Sequence, residues 1–241
     1  TYCDTLSLHD ALPIYTLLFF TEMGRCFWLK VYEIPEGDKT SKGRALQNMI
    51  QIPPDDKVRA IIDVKSLEDE DYVNNHYIVL CTKQGIINKS RLKDFSRPRQ
   101  NGINAITIKE GDQLLEAKLT DGNCEIMMAV KSGRAIRFPE LKVRPTGRGG
   151  IGVAGIDVDD ATDEVVGMVC VNVEDKTKTV LVVSANGYGK RTFLDDPETG
   201  EANYRITNRG GKGVKTISVT AKTGSLVGLL AVTEAEDLMI T

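Results

Sequence analysis

Short apolar segments alternate with polar turns along most of the chain. The chain contains four copies of one pattern: an apolar segment, a polar turn that ends in glycine, and a second segment that carries basic residues. The turn glycines are Gly24, Gly85, Gly133 and Gly187. Glycine takes a positive φ without steric cost, and aliphatic or β-branched residues flank each turn. The pattern predicts four β-hairpins.

Two further elements repeat along with the hairpins. A second element, rich in glycine, places Ala45, Gly102, Gly152 and Gly213 at equivalent positions, at intervals of roughly 50–60 residues. An apolar segment also precedes a hairpin or its counterpart at residues 57–65, 113–120, 164–172 and 225–233. With the two strands of the hairpin, these elements make a repeating unit of about four strands.

Small sheets of this size bury their faces by packing on neighbouring copies, which is typical of propeller blades. The best helical candidate, Ser66 to Asn75, lacks an apolar stripe at helical spacing. We therefore predict an all-β fold, a propeller-like β-pinwheel of four-stranded blades. The chain opens within one blade and ends on Leu238 to Thr241, which repeats the first strand of a hairpin, so we expect the pinwheel to be incomplete at both ends.

Residues 1–15 fit no part of the repeat. They resemble translated sequencing adapter, and we interpret them as a non-native segment ahead of a partial β-pinwheel domain at residues 16–241. No apolar stretch approaches the roughly 18 residues that a membrane span needs. We therefore expect a cytoplasmic protein without a membrane partner.

The five cysteines form no CxxC pair, and the chain contains two histidines, so we expect no zinc site, no other metal and no cofactor. Cys26, Cys81 and Cys170 lie in or beside apolar segments and are predicted to be buried free thiols. The net charge of −3 is unusual for a nucleic-acid binder. The acidic residues cluster, however, and a screened field is local to about 8 Å, so a basic edge remains compatible with an acidic total.

The sharpest local motif is Arg209-Gly210-Gly211-Lys212-Gly213, with a weaker copy that starts at Arg148. Consecutive glycines can expose backbone N–H groups to a phosphodiester, while Arg and Lys neutralise its charge. In the alternative interpretation these glycines turn a corner into the next strand and the cations are solvated. A nucleotide-binding loop is excluded because neither the Walker spacing nor a βαβ context is present.

Together, the repeat and this motif resemble the C-terminal domain of the A protein of bacterial DNA gyrase. That family is a β-pinwheel with a box that reads Gln, a basic residue, Arg, Gly, Gly, Lys, Gly. Thr207 to Gly213 matches from Arg209 onward and departs at Thr207 and Asn208. The family's box belongs to the first blade, whereas this match falls in the fourth unit. Thr207 to Gly213 is therefore either the box itself or a copy of it within a later blade.

The resemblance implies non-sequence-specific binding and wrapping of duplex DNA around the outer rim. It also implies partnership with the upstream gyrase A domains and the gyrase B protein in an A2B2 holoenzyme that introduces negative supercoils with ATP. The fragment itself is expected to be non-catalytic, because the catalytic tyrosine of the family lies upstream. The predicted DNA-binding residues are cations and glycines beside the motif and after the hairpins: Arg209, Gly210, Gly211, Lys212, Gly213, Lys215, Arg148, Gly149, Gly150, Arg134, Arg137, Lys89, Arg91, Lys190 and Arg191.

Three other functions compete with this one. The equivalent domain of the topoisomerase IV A protein resembles this chain but usually has a degenerate box. A propeller-like scaffold for protein contacts would use the glycines as structural corners. A hydrolase on a propeller has little support, because the carboxylates lie in acidic runs and no Ser, His and Asp arrangement stands out.

Overall fold

The computed structural model describes residues 15–37, 42–158 and 162–236. Regular structure in these residues is almost entirely β, which confirms the all-β class. One α-helix, α1 (Glu70–Asn75), begins after Asp69, whose carboxylate accepts hydrogen bonds from the amides of Asp71 and Tyr72. The same residues contain four 3₁₀ turns, at Val31–Glu33, Leu46–Asn48, Leu92–Phe95 and Glu140–Lys142.

The strands of the described residues are numbered in chain order. They are β1 (Thr16–Thr21), β2 (Arg25–Lys30), β3 (Val58–Val64), β4 (Tyr77–Thr82), β5 (Ile86–Arg91), β6 (Ile103–Asn104), β7 (Leu114–Thr120), β8 (Cys124–Val130), β9 (Arg134–Pro139), β10 (Val153–Ala154), β11 (Val165–Asn172), β12 (Thr179–Ser184), β13 (Gly189–Phe193), β14 (Val214–Lys215) and β15 (Leu226–Val232).

These strands form small antiparallel sheets. Three sheets have four strands, in the orders β3-β1-β2-β6, β10-β5-β4-β7 and β11-β8-β9-β14. A further sheet has three strands in the described residues, in the order β13-β12-β15. The predicted repeat of four-stranded units is therefore confirmed in three copies.

The four predicted hairpins are all present, as β1–β2, β4–β5, β8–β9 and β12–β13. Each turn glycine has a positive φ, between 78° and 85°. In the first hairpin the amide of Gly24 donates to the carbonyl of Thr21 at 2.9 Å, and Phe20 pairs with Cys26 across the strands. Glycine is needed at these turns because a side chain there would be strained.

The membership of each sheet differs from the order of the sequence. The apolar strand that precedes a hairpin pairs with the first strand of the hairpin before it: β3 with β1, β7 with β4, β11 with β8 and β15 with β12. The short strands β6, β10 and β14 come from the glycine-rich elements and pair with β2, β5 and β9. Each four-stranded sheet is therefore completed by a segment that follows the next hairpin.

The element around Ala45 is an exception to the repeat. Here the chain forms the 3₁₀ turn Leu46–Asn48, and Ala45 has a φ of −62°. Its counterparts Gly102, Gly152 and Gly213 have φ values of 67°, 92° and 73°. An alanine is strained at such angles, so this element does not adopt the backbone of the other three.

Contacts divide the chain into two compact units. Unit 1 comprises the described residues within Thr1–Thr82, Asn88–Asp121 and Pro145–Gly152, and unit 2 comprises those within Lys83–Ile87, Gly122–Arg144 and Val153–Thr241.

In unit 1, Leu18 and Phe20 of β1 pack in one cluster with Ile78 and Leu80 of β4. Phe20 also meets Phe95 edge-on, with ring centroids 5.8 Å apart. Burial of each such side chain stabilises the fold by about 1.5–3 kcal/mol.

The core of unit 2 has the same construction. Met127 of β8 packs with Val169 and Val171 of β11, and with Val180 and Val182 of β12. Alternate residues of each strand supply these side chains, as expected for a pleated sheet.

The cysteines largely match the prediction. Cys26, Cys81 and Cys124 are buried, whereas Cys170, which was also predicted to be buried, is half-buried. Burial raises the pKa of the Cys26 thiol well above its ordinary value.

Two predictions lie outside the described residues. They are the non-native segment, apart from Tyr15, and the terminal strand at Leu238 to Thr241. In the part of the chain that is described, no helix reaches the length and hydrophobicity of a membrane span.

Candidate nucleic-acid interface

In unit 1, the glycine-rich element at residues 145–152, which contains Arg148, is attached to its neighbours through hydrogen bonds. The amide of Thr146 donates to the carbonyl of Lys89 at 2.9 Å, which places the element beside β5. The amide of Gly149 donates to the carbonyl of Ala105 at 2.9 Å, and the Thr107 hydroxyl donates to the carbonyl of Gly149 at 2.7 Å. Arg148 lies between these anchor points with an exposed side chain.

In unit 2, the glycine-rich element Thr207 to Gly213 is attached in the same way. The amide of Thr207 donates to the carbonyl of Arg137 at 2.9 Å, and the amide of Gly210 donates to the carbonyl of Gly155 at 2.6 Å. The half-buried Arg209 donates from Nη1 to the carbonyl of Ala154 at 3.0 Å, and from Nε to that of Lys142 at 3.1 Å. These hydrogen bonds hold the backbone of the Arg209–Gly213 motif and the side chain of Arg209 in place.

These glycines therefore do not supply free amides for a phosphate, which was the first interpretation of the motif. The amides of Gly149 and Gly210 are used in backbone hydrogen bonds within the fold, so they are not presented to a phosphate. Their φ values of 79° explain why glycine is needed. At these two positions the structure favours the alternative, in which the glycines are corners that shape the surface.

Gly213 shows a second reason for glycine. It precedes β14, and a Cβ atom on it would collide with the carbonyl oxygen of Ala135 in β9. Since β14 completes the sheet by pairing Val214 with Ala135, the absence of a side chain allows the strands to approach.

Exposed cations surround both elements. In unit 1 they follow β5 and occupy the glycine-rich element: Arg91, Lys93, Arg97, Arg99 and Arg148. In unit 2 they follow β9 and flank the Arg209 motif: Lys142, Arg144, Arg205, Lys212 and Lys215. Arg134, at the start of β9, is half-buried.

Arg97 and Arg99 were missed by the sequence reasoning. The stretch Ser96-Arg97-Pro98-Arg99 directly before the Gly102 element is the signal that could have identified them.

Arg137 is placed differently from the prediction. Its side chain is 2% exposed and its guanidinium binds two carboxylates, Glu125 through Nε at 2.8 Å and Asp195 through Nη1 at 2.6 Å. Nη1 also donates to the carbonyls of Leu194 and Tyr204. Burial lowers the pKa of Arg137, but the hydrogen bonds to Asp195 and Glu125 outweigh it and raise the pKa overall. We therefore leave Arg137 out of the proposed interface.

Lys89 is also buried, at 3% exposure. Its Nζ lies 4.1 Å from the centroid of the Tyr77 ring, a cation–π geometry within unit 1. The ammonium group is therefore turned into the fold, and we leave Lys89 out of the interface as well.

The last hairpin carries Lys190 and Arg191 on β13, and both are exposed. Arg191 forms an ion pair with Glu234. Because this pair is solvent-exposed, it is weak and a phosphate could compete with the carboxylate.

A groove of unit 1 carries acidic side chains. Glu22, Asp55 and Asp112 line a groove beside the turn of the first hairpin. Because the screened field of each group is local, these carboxylates and the exposed cations can coexist despite the net charge of −3.

Four hairpins, interleaved four-stranded sheets and glycine-shaped basic loops define a repeat domain of the β-propeller class. The family model described as "DNA gyrase C-terminal domain, beta-propeller" matches residues 15–65, 76–121, 125–172, 178–196 and 199–233. The chain belongs to this family.

Relatives of known identity support membership of the same family. The DNA gyrase A protein of Staphylococcus aureus strain NCTC 8325 is 42% identical over 236 residues, which is 98% of this chain and 25% of the relative. The protein from strain MRSA252 has the same identity and coverage. The chain thus spans about a quarter of the length of these relatives.

Solved structures share the fold. A C-terminal domain of DNA topoisomerase IV has a TM-score of 0.77 at 23% identity, covering 92% of this chain and 65% of that one. A DNA gyrase A C-terminal domain has a TM-score of 0.71 at 24% identity, covering 93% and 68%. The fold class of the β-pinwheel is therefore shown.

Proposed function

We propose that this chain binds and wraps duplex DNA without sequence specificity, as the C-terminal domain of a DNA gyrase A protein. The observation that carries the proposal is the same in both units: exposed cations follow a hairpin and flank a glycine-rich element that backbone hydrogen bonds hold against it. Membership of the gyrase family supports a DNA ligand over a protein ligand.

The proposed contacts are to phosphates, because contacts from Lys and Arg to phosphate oxygens position a duplex without reading its sequence. The interface comprises Arg91, Lys93, Arg97, Arg99 and Arg148 of unit 1, and Lys142, Arg144, Arg205, Arg209, Lys212 and Lys215 of unit 2, with Arg134, Lys190 and Arg191 as further predicted members. In this scheme Gly149, Gly150, Gly210, Gly211 and Gly213 shape the backbone that carries the cations.

Wrapping requires the DNA to bend. Smooth bending of a 20–30 bp segment by 40–90° costs on the order of 1–6 kcal/mol. Several phosphate contacts fixed on rigid loops can offset this cost, since each releases condensed counterions from the DNA. A rigid array is more effective than flexible chains, because less conformational entropy is lost on binding.

In the whole protein, wrapping would deliver a second DNA segment to the upstream gyrase A domains. The holoenzyme, with two copies each of the A and B proteins, would then couple this geometry to ATP-driven negative supercoiling in the cytoplasm. This chain would contribute geometry and no catalytic group.

Ligation of nicked plasmid in the presence of the chain tests wrapping directly. DNA wrapped at the moment of ligation retains a changed linking number after the protein is removed. We expect the topoisomer distribution to shift in one direction, and further with more protein. An unchanged distribution at protein concentrations that saturate the plasmid would overturn wrapping, even if binding remained.

A further inference from the structure

Leu141 is the most exposed of the large hydrophobic side chains in the described residues, at 79%. It is the central residue of the 3₁₀ turn Glu140–Lys142, which follows β9. Isolated apolar residues are common on protein surfaces. The rigidity and the charge of its surroundings distinguish this one.

The turn that carries Leu141 is held at both ends. Glu140 is fully buried and Val143 is 1% exposed, and the Val143 amide donates to the Glu140 carbonyl at 2.9 Å. Pro139 precedes the turn with a φ of −64°. The leucine side chain thus projects from a fixed backbone, so little backbone entropy is lost when a ligand contacts it.

Cations flank this leucine within unit 2. Lys142 and Arg144 follow it in the chain and are exposed. The Lys142 carbonyl accepts a hydrogen bond from Nε of Arg209, which brings a third cation to the same turn. Leu141 is therefore an apolar contact point within a basic surface.

A nucleic-acid strand offers a matching surface. Between successive phosphates the backbone presents sugar carbons, which are its apolar part. We propose that Leu141 packs against a deoxyribose between phosphates bound by the neighbouring cations, and so selects DNA over RNA. The inference rests on the proposed function. A ribose 2′-hydroxyl at this contact would be buried against leucine without a hydrogen-bond partner.

Other repeats place different residues at this position. It is Tyr32 in the turn Val31–Glu33, 62% exposed, and Lys93 in the turn Leu92–Phe95. The tip of the turn is thus directed to solvent in all three copies. Lys93 would contact a phosphate, and Leu141 has the chemistry for the sugar.

Binding to matched duplexes tests the contact. One duplex is DNA, and the other has isolated ribonucleotides, each flanked by deoxyribonucleotides, so that its shape stays close to B-form. We expect the wild-type chain to bind the ribose-containing duplex about fivefold more weakly. Leu141→Ser should remove this preference. Leu141→Met should retain it, because the apolar contact is preserved.

Two controls separate the outcomes. Leu141→Ser should leave the salt dependence of binding unchanged, because no charge is altered, and Met23→Ala should behave as the wild type since Met23 lies beside the acidic groove. Equal binding of both duplexes by the wild type, or a preference that survives in Leu141→Ser, would overturn the sugar contact alone. Failure of the wild type to bind any duplex would overturn the proposed function and this contact together.

Discussion

Arg137 and Asp195 are joined by two parallel hydrogen bonds, from Nη1 to Oδ1 at 2.6 Å and from Nη2 to Oδ2 at 2.8 Å. This fork holds the segment after β13 against β9, and Glu125 binds the other side of the same guanidinium. The pair links two successive repeats within unit 2. This charge contact of unit 2 is therefore structural.

Replacement of Arg137 should unfold the domain more easily. Arg137→Met preserves much of the packing but leaves Glu125 and Asp195 without their cation, and such a loss costs about 3 kcal/mol. Urea denaturation measures the change. Arg144→Met, at an exposed position, should stay within about 0.5 kcal/mol of the wild type. Equal stability of Arg137→Met and Arg144→Met would show that the ion pairs of Arg137 with Glu125 and Asp195 do not stabilise the domain.

Acid should weaken the stabilisation that the Arg137–Asp195 ion pair provides. The hydrogen bonds from Arg137 lower the pKa of Asp195, against a smaller opposing effect of burial. In the unfolded chain an aspartate has a pKa of about 3.9. Because the folded pKa is lower, this stabilisation is complete above the unfolded value and is lost as the pH falls through the folded value. Urea midpoints from neutral to acidic pH should decline less steeply in Asp195→Asn. Parallel profiles would contradict this.

Gly213 and Gly211 provide a matched pair for the role of glycine. Gly213→Ala forces a side chain into a left-handed backbone and against Ala135, and the backbone strain alone costs about 1–2 kcal/mol. In Gly211→Ala the new Cβ finds its nearest neighbour, Cδ1 of Ile136, at 3.7 Å, an ordinary contact. We expect a lower urea midpoint in the first variant and nearly wild-type stability in the second. The reverse order would refute the close-approach argument.

Removal of Arg148 should weaken DNA binding without affecting the fold. If it contacts one phosphate, the slope of log affinity against log salt should become shallower by about 0.9 in Arg148→Ala. Lys57→Ala is the control, because Lys57 is exposed next to Asp55 and Asp56. Anisotropy titrations at several salt concentrations measure both. Identical slopes for Arg148→Ala and the wild type would remove Arg148 from the interface.

The local structure was largely predictable from the sequence. Turn glycines such as Gly24 and Gly133 lie between apolar segments, and the signal is contained within a few residues. The pairing of β6, β10 and β14 with earlier hairpins was not predicted. Strand periodicity specifies which residues share a face, but not which distant strand they meet.

The candidate site was predictable only in part, for the same reason. Arg137 and Arg148 are both arginines near a glycine-rich motif, yet one is buried and the other exposed. The difference arises from Glu125 and Asp195, which become neighbours of Arg137 through the tertiary fold. Strand alternation gives no clue to this burial, since Ile136 and Phe138 on either side of Arg137 point to the opposite face of β9.

The salt dependence of duplex binding by the wild-type chain tests the central claim most directly. Exposed cations that bind phosphates should give a linear fall of log affinity with log salt on duplexes of unrelated sequence, with a slope of about −0.9 for each contact, or about −4.5 if five of the proposed cations bind. A flat line, or no binding at low salt, would contradict the account and favour a scaffold for protein contacts.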